Sequence, residues 1–190
     1  MRKIIFILAA MAVVASCSQS RKWTDKEREE VRELVRNHRD RVAIRHMEES
    51  NYQNLEQCVL TTIEETYPDY NQYNKLTGKT DTLNAVILSC LDYTIGPNFE
   101  NLPLLFPVGQ LQQAGVLPDS VTHAQAAAFY GCLAGKIKTI YGTPGNFTSA
   151  LFNDMDVPME LSGAMQACVT SVMGGDSTAV AQPNPAMKKK

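Results

Sequence analysis

The sequence predicts an all-α protein, about five to six helices in a bundle that contains two disulfide-stapled helix hairpins. Three observations predict it. Cys58, Cys90, Cys132 and Cys168 each lie on their own apolar pattern at helical spacing. Residues 23–49 form a charge-rich stretch with a thin apolar stripe. Two of the cysteine segments also repeat one another, which points to an internal duplication of the hairpin.

Residues 1–16 lie outside the expected fold. Arg2 and Lys3 precede an uninterrupted apolar run, Ile4 to Val14, which is followed by Ala15, Ser16 and Cys17. A basic start, an apolar run of this length and small residues at its end read as a signal peptide. The run is too short to span a bilayer, which needs about 20 apolar residues. Removal of this segment leaves 16 basic residues (18 − 2) against 20 acidic ones. The resulting mild negative charge argues against nucleic acid as a partner.

Val14-Ala15-Ser16-Cys17 resembles the lipobox of bacterial lipoproteins. The resemblance implies diacylglycerol on the Cys17 thiol, cleavage before it and acylation of the new amino group. Several acyl chains would anchor the protein stably, where one would not. Ser18 is not the aspartate that accompanies inner-membrane retention in that family. Residues 19–22 are not an acidic surface-export run. The resemblance therefore implies an outer-membrane lipoprotein of the cell envelope, facing the periplasm, with residues 17–22 as a tether. The membrane is then one partner.

Thr24 caps the first helix of the folded part, and Glu27 completes a capping box. Glu29/Arg32 and Glu33/Arg36 stand at helical spacing. Val31, Leu34, Val35, Val42 and Met47 supply the apolar stripe, so residues 23–49 are expected as an amphipathic helix.

The four cysteine patterns follow. Leu55, Cys58, Val59, Thr62 and Ile63 share one face, and Leu83, Ile87, Cys90 and Leu91 another. Phe129, Cys132, Leu133, Ile137 and Ile140 repeat the spacing, as do Leu161, Met165, Cys168 and Val172. Cys58 and Cys132 are 74 residues apart (132 − 58), and each precedes an isoleucine by five residues and a tyrosine by nine. Each tyrosine meets a helix breaker, Tyr67-Pro68-Asp69-Tyr70 or Tyr141-Gly142-Thr143-Pro144-Gly145. The repeat favours Cys58–Cys90 and Cys132–Cys168, with crossed pairing or four free thiols as the alternatives. Lipidation of Cys17 accounts for the odd fifth cysteine, and an exported chain meets an oxidising compartment. The Cys58 helix and its Tyr67-Pro68-Asp69-Tyr70 turn resemble small uncharacterised periplasmic lipoproteins of Bacteroides-type bacteria, a likeness that implies no activity.

Between the halves, about 23–95 and 116–173, lies a proline-rich connector. Residues 102–107 are too proline-rich for a long helix, and Val108–Ala114 suit a short one before Gly115. Asp119 or Ser120 is expected to begin the Cys132 helix. Residues 174–190 read as a disordered tail with a basic end.

Motifs that carry chemistry are scarce. The chain has no Cys-x-x-Cys, no His-Glu-x-x-His, no Gly-x-Ser-x-Gly and no Walker-type loop. His46 and Glu49 have the i,i+3 spacing of a ligand pair in carboxylate-bridged metal bundles, without the further ligands such a site needs. Glu64-Glu65 and Asp154/Asp156 read as solvated helix ends. No catalytic residue, cofactor or metal is assigned. The expected function is non-catalytic binding or structural support, through an unidentified envelope protein partner. A carrier of an apolar ligand, with a cavity at Leu102–Phe106, and a small envelope enzyme are the alternatives.

Overall fold

The computed structural model describes residues 22–174, so Cys17, the preceding segment and the basic end of the tail lie outside the described residues. The described chain is all-helical, in ten segments: α1 Asp25–Arg36, α2 Val42–Arg45, α3 Glu49–Thr66, α4 Tyr70–Asn74, α5 Lys79–Ile95, α6 Leu102–Leu105, α7 Val108–Gln113, α8 His123–Tyr141, α9 Pro144–Asn153 and α10 Met159–Met173. Six of them have ten residues or more, which matches the expected number of principal helices.

Two antiparallel pairs organise the fold. Cys58 on α3 is bonded to Cys90 on α5, and Cys132 on α8 to Cys168 on α10. Their Cα atoms are 6.1 and 5.7 Å apart, within the reach of a disulfide. The sequential pairing is therefore the one present. Each bridge is flanked by buried apolar side chains, Val59 and Leu91 in the first pair, Leu133 and Met165 in the second.

The repeat extends well beyond the cysteines. The 74-residue offset also relates the N-cap positions of the first long helices, Glu48 and Thr122, and those of the short helices, Asp69 and Thr143. It relates two buried aromatic residues as well, Tyr73 and Phe147. Each of these rings packs against the tyrosine that ends the preceding long helix: Tyr67 to Tyr73 at 5.8 Å, Tyr141 to Phe147 at 5.2 Å. Beyond the short helices the offset becomes 78, relating Leu83 to Leu161, Ile87 to Met165 and Cys90 to Cys168. All six are buried. The chain thus runs through two sets in the same order: two lead-in helices, a long helix, a short one and a second long one.

The two sets share one hydrophobic core, which runs from Trp23 to Met173. The strongest join between them is α5 against α9. There Thr148 is fully buried and its hydroxyl donates to the Asp92 carboxylate, while Phe99 meets Phe147 edge-on at 5.9 Å. A second join brings α2 to the end of α9. The Val42 amide donates to the Asp154 carbonyl, and the Arg41 and Arg45 guanidinia donate to the carbonyls of Asn153 and Met155.

Several local expectations are corrected. Residues 23–49 do not form one helix: α1 ends at Arg36, and the tight bonds His38 to Val35 and Arg39 to Arg36 turn the chain so that α2 reaches α9. Thr24 and Glu27 do form the capping box. Arg36 does not take Glu33. It pairs with Glu29 and with Glu56 on α3, because a packed neighbouring helix offers a carboxylate that an isolated helix lacks. α8 starts after Thr122, not at Asp119 or Ser120, since Thr122 and Gln125 supply the reciprocal capping box. Ile140, placed on the apolar face by its spacing, is 42% exposed beyond the end of the packed stripe. Leu102, Leu105 and Phe106 of the connector are core residues, and the Phe106 carbonyl accepts from the Tyr130 hydroxyl at 2.6 Å. Leu104 of the same segment is half-buried and lines an open groove.

Candidate recognition groove

A solvent-open groove of about 870 Å³ lies on the described surface. It lies where the start of α3, the end of α5 and the start of α9 converge, with the 96–104 segment as its fourth wall. The Cys58–Cys90 bridge ties the first two walls together, and Cys58 itself lines the groove.

Its lining is mixed, with Cys58, Pro97, Leu104 and Pro144 beside the polar side chains. Tyr93 stands 85% exposed at the groove. An aromatic ring left in water this completely is a large apolar area available for burial, with a hydroxyl for orientation. Asn51 and Asn54 come from α3, Asp92 from α5, and Glu100 and Asn101 from the following segment. No lysine, arginine or histidine lines the groove. It carries two carboxylates without a cation, so it suits hydrogen-bond donors and positive charge better than anions.

The walls are held from below. α5 ends at Gly96, whose φ of 80° is reached far more readily by glycine than by other residues. A Cβ at this position would come within 2.6 Å of Glu100 Oε1. Glu100 in turn accepts from the Asn98 amide at 2.8 Å, and Asn101 Nδ2 donates to the Thr94 carbonyl at 3.0 Å. The Thr94 hydroxyl donates to the Cys90 carbonyl at 2.8 Å. Asp92 is fixed by Thr148 and lies 3.1 Å from where a Cβ on Gly145 would be, so the start of α9 approaches it closely. The groove is therefore set in advance, which lowers the ordering cost of binding.

The other residues singled out from the sequence lie elsewhere. Glu49 accepts from Arg39 at 3.0 Å and His46 Nε2 accepts from Arg45 at 3.0 Å, so each half of that i,i+3 pair has an arginine partner. Burial, with the charge of Arg45, holds His46 below the usual histidine range, and burial does the same at His38. Glu64 takes a two-pronged bond from Arg28, at 2.7 and 3.1 Å. Among the described residues no group of three or more His, Cys, Asp or Glu is placed to hold a metal ion. No helix among them is long and apolar enough to cross a membrane.

At the opposite end of α3 sits an aromatic cluster. Trp23 Nε1 donates to the Tyr67 carbonyl at 2.8 Å, and its ring packs on Tyr70 and Tyr73 at 4.9 and 5.6 Å. Lys79, at the start of α5, lies over the Tyr73 ring at 4.9 Å. Burial and the Glu30 carboxylate push the Tyr70 hydroxyl up to about 12, and burial with the neighbouring Tyr67 does the same for Tyr73.

Sequence reasoning missed Tyr93, Asn51, Asn54 and Glu100. One signal was present. Tyr93 falls off the stripe drawn by Leu83, Ile87, Cys90 and Leu91, and an aromatic residue on the polar side of a helix is a candidate contact. The other three become neighbours only through the fold. No protein-family model, curated protein or solved structure matches the chain.

Proposed function

We propose that this chain is a lipid-anchored protein of the cell envelope, acylated on Cys17 and held at the periplasmic face of the outer membrane. In this reading it works by binding, and the Tyr93 groove is where it recognises a protein partner. The observation that carries the proposal is Tyr93, a ring 85% exposed beside a pre-set groove of mixed lining. Exposed aromatic side chains in such settings are the usual energetic anchors of interfaces. The partner segment is expected to present donors or a basic side chain towards Asp92 and Glu100 and an apolar surface to the Tyr93 ring.

The support for an anchoring and binding role over catalysis lies in how the groove's polar groups are engaged. Thr94, Asp92, Glu100 and Asn101 each have a partner within the fold. They brace the walls, which is what a recognition surface requires.

Two measurements test this. Mass spectrometry of the mature N-terminus is expected to find acylated cysteine, and Cys17→Ala is expected to release the protein from membranes. For the groove, a partner identified by crosslinking in intact envelopes is to be purified and titrated with the full chain in detergent. Tyr93→Ala is expected to weaken binding at least tenfold with the fold intact. Unchanged affinity in that variant would remove the groove from the account.

A further inference from the structure

We infer that the chain stands on the bilayer with its Trp23 end down, so that the α4 turn faces lipid headgroups and the Tyr93 groove faces away from the membrane. The inference rests on the proposed acylation of Cys17 and adds an orientation to it.

Trp23 is the first buried residue of the described chain, pinned through its indole N–H to the Tyr67 carbonyl at the end of α3. Five residues separate it from Cys17, and those six Cα–Cα steps span at most about 20 Å when fully extended. The Trp23 end therefore stays within about 20 Å of the acylated cysteine, whatever the tether does. The groove begins at Asn51 and Asn54, at the other end of the same helix. From Asn51 to Tyr67 the axis of α3 advances about 24 Å. α5 measures the same separation independently, with Lys79 against the Tyr73 ring at one end and Tyr93 at the other. An inverted molecule, with the groove on the membrane, would lift Trp23 about 24 Å above the surface, beyond the reach of the tether.

The surface at the Trp23 end is compatible with headgroups. Lys22, Lys26 and Lys75 are exposed there, accompanied by Asp25, Glu65 and the half-buried Asp69. This mixture is not a basic patch, so the orientation comes from the tether rather than from charge attraction. For a protein that recruits a partner, it leaves the groove open to the space beyond the membrane.

The test uses the full, lipidated chain in nanodiscs of phosphatidylethanolamine and phosphatidylglycerol with a gadolinium chelate on a fraction of the headgroups. Paramagnetic attenuation of backbone amide signals is read at Trp23, Tyr70 and Lys75 and compared with Asn54, Tyr93 and Asn101. The expected result is attenuation at least threefold stronger for the first group. Insertion of twelve Gly/Ser residues between Ser20 and Arg21 is expected to weaken attenuation in the first group towards the level of the second. Equal attenuation in the native-length chain, meaning that it lies flat, overturns the inference, as does stronger attenuation at Tyr93. If the N-terminus proves unacylated, anchor and orientation fall together. If it is acylated and the attenuation is uniform, only the orientation falls.

Discussion

The two stapled hairpins have the same plan and different surroundings. α3 and α5 are braced on several sides: α1 packs on α3, while α6 and α9 pack on α5. The main partner of α10 is α8, to which it is also bonded through Cys132–Cys168. Their outward faces differ in the same sense. Positions that correspond under the repeat carry Asn54, Asp92 and Tyr93 in the first hairpin, but Ala128, Thr170 and Ser171 in the second. A shared core pattern thus preserves the architecture, while the side chains at one end of one hairpin acquire the means to recognise something. The comparison teaches that the fold repeats and the candidate site does not.

The difference in bracing leads to the largest expected effect. Loops of 32 and 36 residues give nearly equal chain-entropy contributions, about 3–4 kcal/mol each. Any inequality between the bridges must then come from what else holds each hairpin. Cys132→Ala/Cys168→Ala is expected to destabilise more than Cys58→Ala/Cys90→Ala in denaturant titrations. Hydrogen exchange should show α10 opening in the first variant, while α5 stays protected in the second. Equal losses, with α5 and α10 opening alike, would break the comparison.

A smaller effect belongs to the groove. Gly96→Ala meets both an unfavourable φ and the Glu100 carboxylate, and is expected to cost about 1–3 kcal/mol while disturbing the 96–101 wall. Thermal unfolding measures the loss, and a Gly96→Ala protein of unchanged stability would remove the support for a pre-set wall.

The smallest effect is acid sensitivity, and it is confined to the first set. His38 packs against Phe152 at 5.1 Å, with Arg41 and Asp40 nearby, and His46 accepts from Arg45. Both have folded pKa values below the unfolded value of about 6.5, with burial as the leading cause. The unfolded chain therefore binds protons more readily than the folded one between the two values. The contribution of each neutral histidine is present above about pH 6.5 and is lost as pH falls through that window. His38→Gln/His46→Gln should flatten stability against pH between about 7 and 5. Exchange at the α1–α2 junction should rise on acidification before exchange in α8. A slope unchanged by the double substitution would contradict this assignment.

How much of this was legible beforehand depends on the range over which each feature is specified. The cysteine helices, their sequential pairing and the Thr24 cap follow from spacings of three to nine residues and from the repeat, so they could be read directly. Ile140 was misplaced because periodicity says which side of a helix is apolar, and not where its packing partner stops. The break between α1 and α2 was hidden because its cause is α9, more than a hundred residues away. The groove was hidden for the same reason. Asn51, Tyr93 and Gly145 belong to three helices and form one surface only after the hairpin closes and α9 docks at Asp92.

The central claim is that recognition resides at one end of the first hairpin and has no counterpart on the second. Photo-crosslinking amino acids placed at Tyr93 and at its repeat equivalent, Ser171, in otherwise intact protein within native envelopes test it most directly. The account predicts one defined adduct from position 93, abolished by Glu100→Gln with Asn54→Ala, and none from position 171. An adduct from position 171 with silence at 93, or the same adduct from both, would contradict it.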